Sequence, residues 1–262
     1  MNSLNYLQQK IQNAKALDFG TVFNQAIELF KKVWVQGLLL QIFALVIMLP
    51  FILAFYVPFI GALMEQSRSG YVDPDSLNSA IFGGGSPMYI LLFYVVIFVL
   101  SAIAALLYAG FYRIVKNMDH GETPNTSDFF YFFKGKYFGK GFLLMILASL
   151  ISGVATMLCV LPVFYVMVPI MFFIPIFAYN PDLSIGDIVS LGFSLGNKKW
   201  LLTFGLVIVS AILIYILTIV TCGIGGLFLA AFIYLPIYII YKEVIGFGEQ
   251  DEIDEIGKIE NF

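Results

Sequence analysis

The side chains that could carry out chemistry are few in this chain and lie far apart. Its single histidine, His120, lies in the segment Met118-Asp119-His120-Gly121-Glu122, where a loop turn accounts for it better than acid–base catalysis does. Cys159 and Cys222 have no histidine nearby and no metal-ligand spacing. Gly83-Gly84-Gly85 lacks the following Lys-Ser/Thr pair of a phosphate-binding loop. We therefore predict no catalytic residue, no cofactor-binding residue and no metal site, and a protein that is not an enzyme.

The composition indicates a membrane protein. Of 262 residues, 60% are hydrophobic and 12% are charged, and the mean hydropathy is +0.92. Soluble domains are roughly 45–50% apolar and about 25% charged, so a water-soluble globule of this length has no room to bury so many apolar side chains. The formal net charge of −3 leaves no basic surface, which argues against a nucleic-acid partner.

Charge-free windows set the predicted number of membrane crossings. A helix needs about 20 apolar residues to cross about 30 Å of hydrocarbon. Two charge-free windows are long enough for one membrane span each, and two are long enough for a pair of spans joined by a turn. We expect these turns near Leu161-Pro162 and within Thr221–Gly226. We predict an all-α, polytopic membrane domain over 1–244 and an acidic tail over 245–262. The six spans are about 33–59, 88–112, 141–160, 163–179, 200–220 and 227–242.

The distribution of Lys and Arg gives the predicted orientation. With six spans, thirteen of the fourteen Lys and Arg residues lie on one side and only Arg68 lies on the other. Basic residues next to spans are retained in the cytoplasm, so we expect both termini to be cytoplasmic. The thirteen are Lys10, Lys15, Lys31, Lys32, Arg113, Lys116, Lys134, Lys136, Lys140, Lys198, Lys199, Lys242 and Lys258.

The segments on the basic side share one pattern. Asp18, Asp128 and Asp187 each stand at the start of an apolar stretch that is followed by lysines and then by a pair of spans. Ser184 lies three residues before Asp187, the spacing of a capping box. We interpret the chain as three pseudo-repeated units, each with an amphipathic interfacial helix on the cytoplasmic side. These helices either anchor the spans or form a surface for anionic lipid or a partner protein.

The other polar segments are a loop and the two termini. The only sizeable outer loop, Glu65 to Pro87, is expected to be irregular and solvated. The tail is rich in acidic residues, with Ile253, Ile256, Ile259 and Phe262 at every third position. It is either a solvated tail or a short docking helix, and the spacing of Leu4, Leu7, Ile11 and Ala14 favours another short amphipathic helix. The two cysteines either pack as small apolar side chains or pair with each other.

The central parts of the spans contain no Asp, Glu, Lys, Arg or His, which weakens a coupled-transporter interpretation. Ser101, Ala105 and Ala109 form a small-residue stripe, for which helix packing is the main interpretation. Pro162, Pro169 and Pro175 kink the fourth span, and a kinked helix can also line a cavity. Tyr215, Tyr234, Tyr238 and Tyr241 are typical of interface or inter-helix hydrogen-bonding tyrosines.

The third unit resembles a known group of proteins. The resemblance is carried by Asn180-Pro181-Asp182-Leu183-Ser184-Ile185-Gly186-Asp187, Ser194, Lys198-Lys199-Trp200 and Thr221-Cys222-Gly223-Ile224-Gly225. These residues are similar to those of uncharacterised six-span bacterial integral membrane proteins related to the glycerophosphoryl diester phosphodiesterase membrane domain. The resemblance covers about 128–244 and implies a location in the bacterial cytoplasmic membrane. It implies no activity, because the catalytic barrel of those phosphodiesterases has no counterpart here.

Together these features favour a non-catalytic, multi-pass inner-membrane protein. We expect a scaffold, an accessory subunit of a membrane complex or a lipid-contacting factor, whose partners are the bilayer and another membrane complex bound through the cytoplasmic helices or the acidic tail. The alternative is a permease or flippase for lipid-like or small uncharged molecules, with a cavity beside the proline-rich fourth span.

Overall fold

The computed structural model describes residues 3–70, 73–82, 86–158 and 160–247. Within these residues the regular structure is helical, and six helices are long and apolar enough to cross a membrane. The predicted all-α, multi-pass membrane class is therefore confirmed. The six are Phe19–Ser69, Pro87–Asp119, Gly135–Leu158, Leu161–Tyr179, Trp200–Val220 and Ile224–Val244.

The described residues form eleven α-helices and two 3-10 helices. The α-helices are α1 Ser3–Gln12, α2 Phe19–Ser69, α3 Pro74–Phe82, α4 Pro87–Asp119, α5 Gly135–Leu158, α6 Val160–Met171, α7 Phe173–Tyr179, α8 Ile185–Lys198, α9 Trp200–Val220, α10 Ile224–Leu229 and α11 Tyr234–Val244. The 3-10 helices are Thr126–Phe133 and Ala230–Ile233. Two compact units result: unit 1 comprises 1–41 and 105–262, and unit 2 comprises 42–104.

Unit 1 is held together by close helix crossings at glycines. A methyl group built on Gly196 of α8 would lie 2.6 Å from Pro169 Cα of α6, and one on Gly192 would lie 2.4 Å from the Phe173 ring of α7. One built on Gly110 of α4 would lie 2.4 Å from the Phe129 main-chain oxygen. Helices in lipid associate through such close packing, since lipid tails give apolar side chains no hydrophobic drive to pair.

Prolines interrupt two of the six apolar helices, the fourth (Leu161–Tyr179) and the sixth (Ile224–Val244), both of which lie in unit 1. Pro175 has no N–H for the carbonyl of Met171, where α6 ends. Pro236 likewise leaves the carbonyl of Phe232 without its helical donor, and the chain there runs as a 3-10 turn before α11. The predicted hairpin turn within Thr221–Gly226 lies between α9 and α10, with Gly223 at φ +96°.

Unit 2 contains residues 42–69 of α2, helix α3 and residues 87–104 of α4. The rings of Phe51, Phe55 and Phe93 pack together with centroid separations of 4.5–5.3 Å. Many of its large apolar side chains are exposed, as expected for helices solvated by lipid. The predicted irregular loop from Glu65 to Pro87 is wrong in part, because α2 continues to Ser69 and α3 occupies Pro74–Phe82.

The helix at Pro74 has a local cause. Proline suits the first turn of a helix, where no partner exists for an N–H, and Asp73 Oδ1 accepts a hydrogen bond from the main-chain N–H of Asp75 at 3.0 Å. The buried side chain of Gln66 then joins α2 to this turn, since its Nε2 donates to Asp73 O and to Ser76 Oγ, both at 2.7 Å.

The three predicted repeat segments have different conformations. The segment after Asp18 is continuous with the first long helix rather than a separate interfacial helix. The segment around Asp128 is a 3-10 helix. Only the segment around Asp187 forms a separate α-helix, α8, and it has the predicted capping box between Ser184 and Asp187. The chain also forms the predicted N-terminal helix, α1, which buries Leu7 and Ile11.

Candidate functional site at the lysine-rich end

At one end of unit 1, lysine side chains connect different segments by hydrogen bonds, and we call this the lysine-rich end. It comprises α1, the start of α2, the end of α4, the start of α5, α8, the start of α9 and the end of α11. Lys10 Nζ donates to Ile245 O at 2.9 Å, and Lys140 Nζ donates to Leu183 O at 2.7 Å. The Ile245 carbonyl lies at the C-terminal end of α11, where it has no helical N–H donor and a cation is favourable.

Two adjacent lysines bind the loop between α1 and α2. Lys198 Nζ donates to Gln12 O at 3.2 Å, and Lys199 Nζ donates to Lys15 O. Lys199 is buried, and burial together with the neighbouring charge of Lys198 lowers the pKa of its ammonium group below the ordinary 10.5. Positive charge is therefore concentrated beside this loop.

Asp119, the last residue of α4, joins that helix to α11. Its Oδ2 accepts hydrogen bonds from Tyr238 Oη at 2.8 Å and from Lys242 Nζ at 2.9 Å. The carboxylate is largely buried, with a side-chain exposure of 15%. A buried charge is costly unless it is paired and hydrogen-bonded, and both conditions hold here.

Tyrosines connect α4, α7 and α11. Tyr179 Oη donates to Tyr112 O at 2.6 Å, and Asn180 Nδ2 donates to Tyr241 Oη at 2.6 Å. Tyr112 and Tyr241 are buried almost completely, so these hydrogen bonds satisfy polar atoms that water cannot reach.

Phe247, which follows α11, packs against three tyrosines of this end. Its ring centroid lies 4.8 Å from that of Tyr179, 5.7 Å from that of Tyr238 and 5.8 Å from that of Tyr241. Gly246 has a φ of +70°, a left-handed conformation that turns the chain after α11 so that the ring points back into the bundle. We call Phe247 and these three tyrosines the aromatic cluster.

An exposed ion pair links the start of α5 to the loop before α8. Lys136 Nζ lies 2.8 Å from Asp182 Oδ1, and both side chains are more than 70% exposed. The hydrogen bond and the positive charge of Lys136 lower the pKa of the Asp182 carboxyl group below the ordinary 3.8.

The described residues at this end line several concave surfaces, among them the following three. A groove of about 530 Å³ runs along α1 and the following loop and is lined by Lys10, Lys15 and Glu243, among others. A cavity of about 210 Å³ lies between α1 and the aromatic cluster. A third, of about 440 Å³, is lined by charged side chains of α2 and α11, with Asp119 between them.

The structure places the candidate chemical residues apart from one another. His120 Nδ1 lies 2.8 Å from Lys116 O, and its ring packs edge-on against Phe247. Cys222 is an exposed free cysteine at the turn between α9 and α10. Cys159 and the triple glycine 83–85 lie outside the described residues, so their predictions stay untested. No group of three or more His, Cys, Asp or Glu suited to a metal ion occurs among the described residues.

Sequence reasoning identified half of the aromatic cluster. The sequence predicts interface or inter-helix hydrogen-bonding roles for Tyr215, Tyr234, Tyr238 and Tyr241. Tyr238 and Tyr241 form hydrogen bonds to other segments, and Tyr215 is 67% exposed. The contribution of Phe247 was missed, because a phenylalanine after the last span belongs to no periodic pattern. The Gly246-Phe247 pair is the only local signal for a turn at that point.

No protein-family model matches the chain, and comparisons with curated proteins and with solved structures gave no match.

Proposed function

We propose that this protein is a non-catalytic, multi-pass membrane protein that acts as a scaffold or accessory subunit of a membrane complex, or as a lipid-contacting factor. The lysine-rich end is the surface that would bind the partner. We also propose a location in the bacterial cytoplasmic membrane, with both termini in the cytoplasm.

The observation that carries this proposal is the set of contacts that hold the lysine-rich end in one arrangement. The side chains of Lys10, Lys140 and Lys199 are each hydrogen-bonded to the main chain of another segment. The Asp119 carboxylate is bonded to both Lys242 and Tyr238. These polar groups fix the relative positions of helix ends, and a preorganised surface loses less entropy when it binds a partner.

The packing of the fourth span favours this role over a carrier. A permease or flippase of the kind considered above needs Pro169 beside a cavity. Instead, Pro169 lies against Gly192 and Gly196 of α8, and Pro175 is buried in α7. Both prolines thus lie at helix contacts, where they shape the packing.

The experiment is co-purification from native membranes in a mild detergent. We expect the full chain to elute with a reproducible partner protein or with specifically retained lipid. Lys32→Glu on the surface of the third cavity should weaken that association, whereas Gly153→Ala, on an open face of α5, should not. A chain that always elutes alone and free of retained lipid would contradict the proposal. Flux of a lipid-like molecule in reconstituted vesicles, altered by Pro169→Ala, would favour the carrier.

A further inference from the structure

The groove beside α1, which we call the α1 groove, has both charged and apolar walls. Lys10 and Lys15 contribute positive charge, and Glu243 is the carboxylate among its lining residues. Ala14, Leu17 and Val244 supply apolar surface. Its volume of about 530 Å³ falls within the range of about 300–1,000 Å³ typical of ligand sites, so it admits a few side chains of a peptide.

Two further lysines, Lys198 and Lys199, lie next to the α1 groove and add positive charge. Lys198 and Lys199 bond to the carbonyls of Gln12 and Lys15, on either side of the groove-lining residues Asn13 and Ala14. Burial, and after it the neighbouring charge of Lys198, lower the pKa of the Lys199 ammonium group. The two lysines place further positive charge beside the groove, which favours an acidic ligand there.

The described part of the chain ends directly beside this groove. Lys10 and Tyr6 line both the α1 groove and the neighbouring cavity of about 210 Å³, which Gly246 and Phe247 also line. The hydrogen bond from Lys10 Nζ to Ile245 O and the ring contacts of Phe247 fix the point at which the tail begins.

The sequence of the tail complements the groove in charge and in apolar character. Residues 248–262 carry six acidic side chains and one lysine, with apolar residues at every third position. Fifteen residues extend over at most about 50 Å, so no part of the adjacent groove is out of reach. The acidic residues are Glu249, Asp251, Glu252, Asp254, Glu255 and Glu260, and the apolar ones are Ile253, Ile256, Ile259 and Phe262.

We propose that the acidic tail, residues 248–262, binds in the α1 groove of the same chain. Its carboxylates pair with Lys10 and Lys15, and its isoleucines lie against Ala14, Leu17 and Val244. The tail then covers part of the lysine-rich end, so it and any partner that binds there compete for one surface. Binding of the tail requires no partner protein, so its test is independent of the function proposed above.

The test is disulfide cross-linking in the full chain, in a Cys159→Ser, Cys222→Ser background. One variant carries Ala16→Cys in the groove and Ile256→Cys in the tail. The matched control carries Gly135→Cys and Ile256→Cys. Gly135 also has lysine neighbours, Lys134 and Lys136, and its Cβ position is open. We expect intramolecular cross-linking at least tenfold faster for the Ala16 pair. Asn13→Cys is a second groove position, in case Ala16→Cys folds poorly.

A charge exchange tests whether the groove lysines are responsible. Adding Lys15→Glu to the Ala16 pair should slow cross-linking at least threefold, and adding Asp254→Lys and Glu255→Lys to that variant should restore it. Lys31→Glu makes the same charge change outside the groove and should have no effect. Equal rates for the two cysteine pairs, no cross-linking in either, or equal slowing by Lys15→Glu and Lys31→Glu would overturn the proposal. A predominantly intermolecular disulfide would also overturn it, because the tail would then bind a second copy.

Discussion

Glycine at two positions of α8 is needed for the contact between this helix and α6. The Cβ position of Gly196 lies among the main-chain atoms and ring of Pro169, and that of Gly192 lies against Phe173 and the Pro169 carbonyl. Backbone atoms cannot move away as a flexible side chain can. A side chain at Gly196 therefore separates the two helices or distorts one of them.

Gly196→Ala should lower the free energy of unfolding by about 1–3 kcal/mol, the usual cost of forcing an added methyl group into a packed site. The measurement is the unfolding midpoint in detergent, followed by tryptophan fluorescence and circular dichroism. Gly153→Ala is the control, because nothing lies within 4 Å of its Cβ position and alanine favours a helix. Equal destabilisation by both substitutions would show that the close crossing at Pro169 is not the cause.

The Lys136–Asp182 pair should make stability depend on pH in the acid range. Because folding lowers the pKa of Asp182, its carboxylate stabilises the folded state above the ordinary value of 3.8, and this contribution is lost as the pH falls through the lowered pKa. Both side chains are exposed, so the effect is small and decreases with salt.

We therefore expect Asp182→Asn to be slightly less stable than the natural chain at pH 7 and equally stable near pH 2. Lys136→Gln should reproduce this loss, and the double variant should show no further loss beyond that of either single one. Unfolding midpoints of the four chains from pH 2 to 7 provide the measurement. A stability difference that stays constant down to pH 2 would contradict this assignment of the carboxylate.

At the scale of elements, α8 begins at a capping box. Ser184 Oγ accepts a hydrogen bond from the main-chain N–H of Asp187 at 3.1 Å, and Asp187 Oδ2 accepts one from the main-chain N–H of Ser184 at 3.3 Å. A loop precedes α8, and only Lys199 separates its end from α9. Its start depends on these two bonds and on packing against α1, α6 and α7.

Ser184→Ala should cost about 1 kcal/mol of stability, because it leaves the N–H of Asp187 without its acceptor. Hydrogen exchange of the first turn of α8 should increase in the same variant. Ser184→Thr keeps an acceptor oxygen and should behave like the natural chain. Unchanged exchange in the alanine variant would mean that helix packing, and not the cap, fixes the start of α8.

The elements also differ in how far they could be predicted. Six apolar helices follow from charge-free length, because a spanning backbone must satisfy its own hydrogen bonds in hydrocarbon. The lysine-rich segments have no such constraint. The segment after Asp18 continues a longer helix and the one around Asp128 forms a 3-10 turn, although their apolar spacing looks alike. The aromatic cluster depends on contacts between residues as distant as Tyr179 and Phe247, which no local pattern encodes.

At the scale of the whole molecule, the number of crossings decides which loops share a side of the membrane. With six crossings we expect the segment around Gly84 and the turn at Cys222 to lie on one side. We expect the termini and the segment around Glu122 to lie on the other. Because thirteen of the fourteen Lys and Arg residues would then lie on the second side, we expect that side to be cytoplasmic by the positive-inside rule.

Labelling of single cysteines with a membrane-impermeant maleimide tests this arrangement. In right-side-out vesicles, native Cys222 in a Cys159→Ser chain should react, as should Gly84→Cys in a chain without other cysteines. Glu122→Cys should react only in inverted or permeabilised vesicles. If the hairpin of α5 and α6 crossed the membrane once instead of twice, Cys222 and Gly84→Cys would react from opposite sides, because three crossings instead of four would then separate them. That result would place Lys198 and Lys199 on the opposite side of the membrane from Lys140. The segments of the lysine-rich end would then not lie on one side of the membrane.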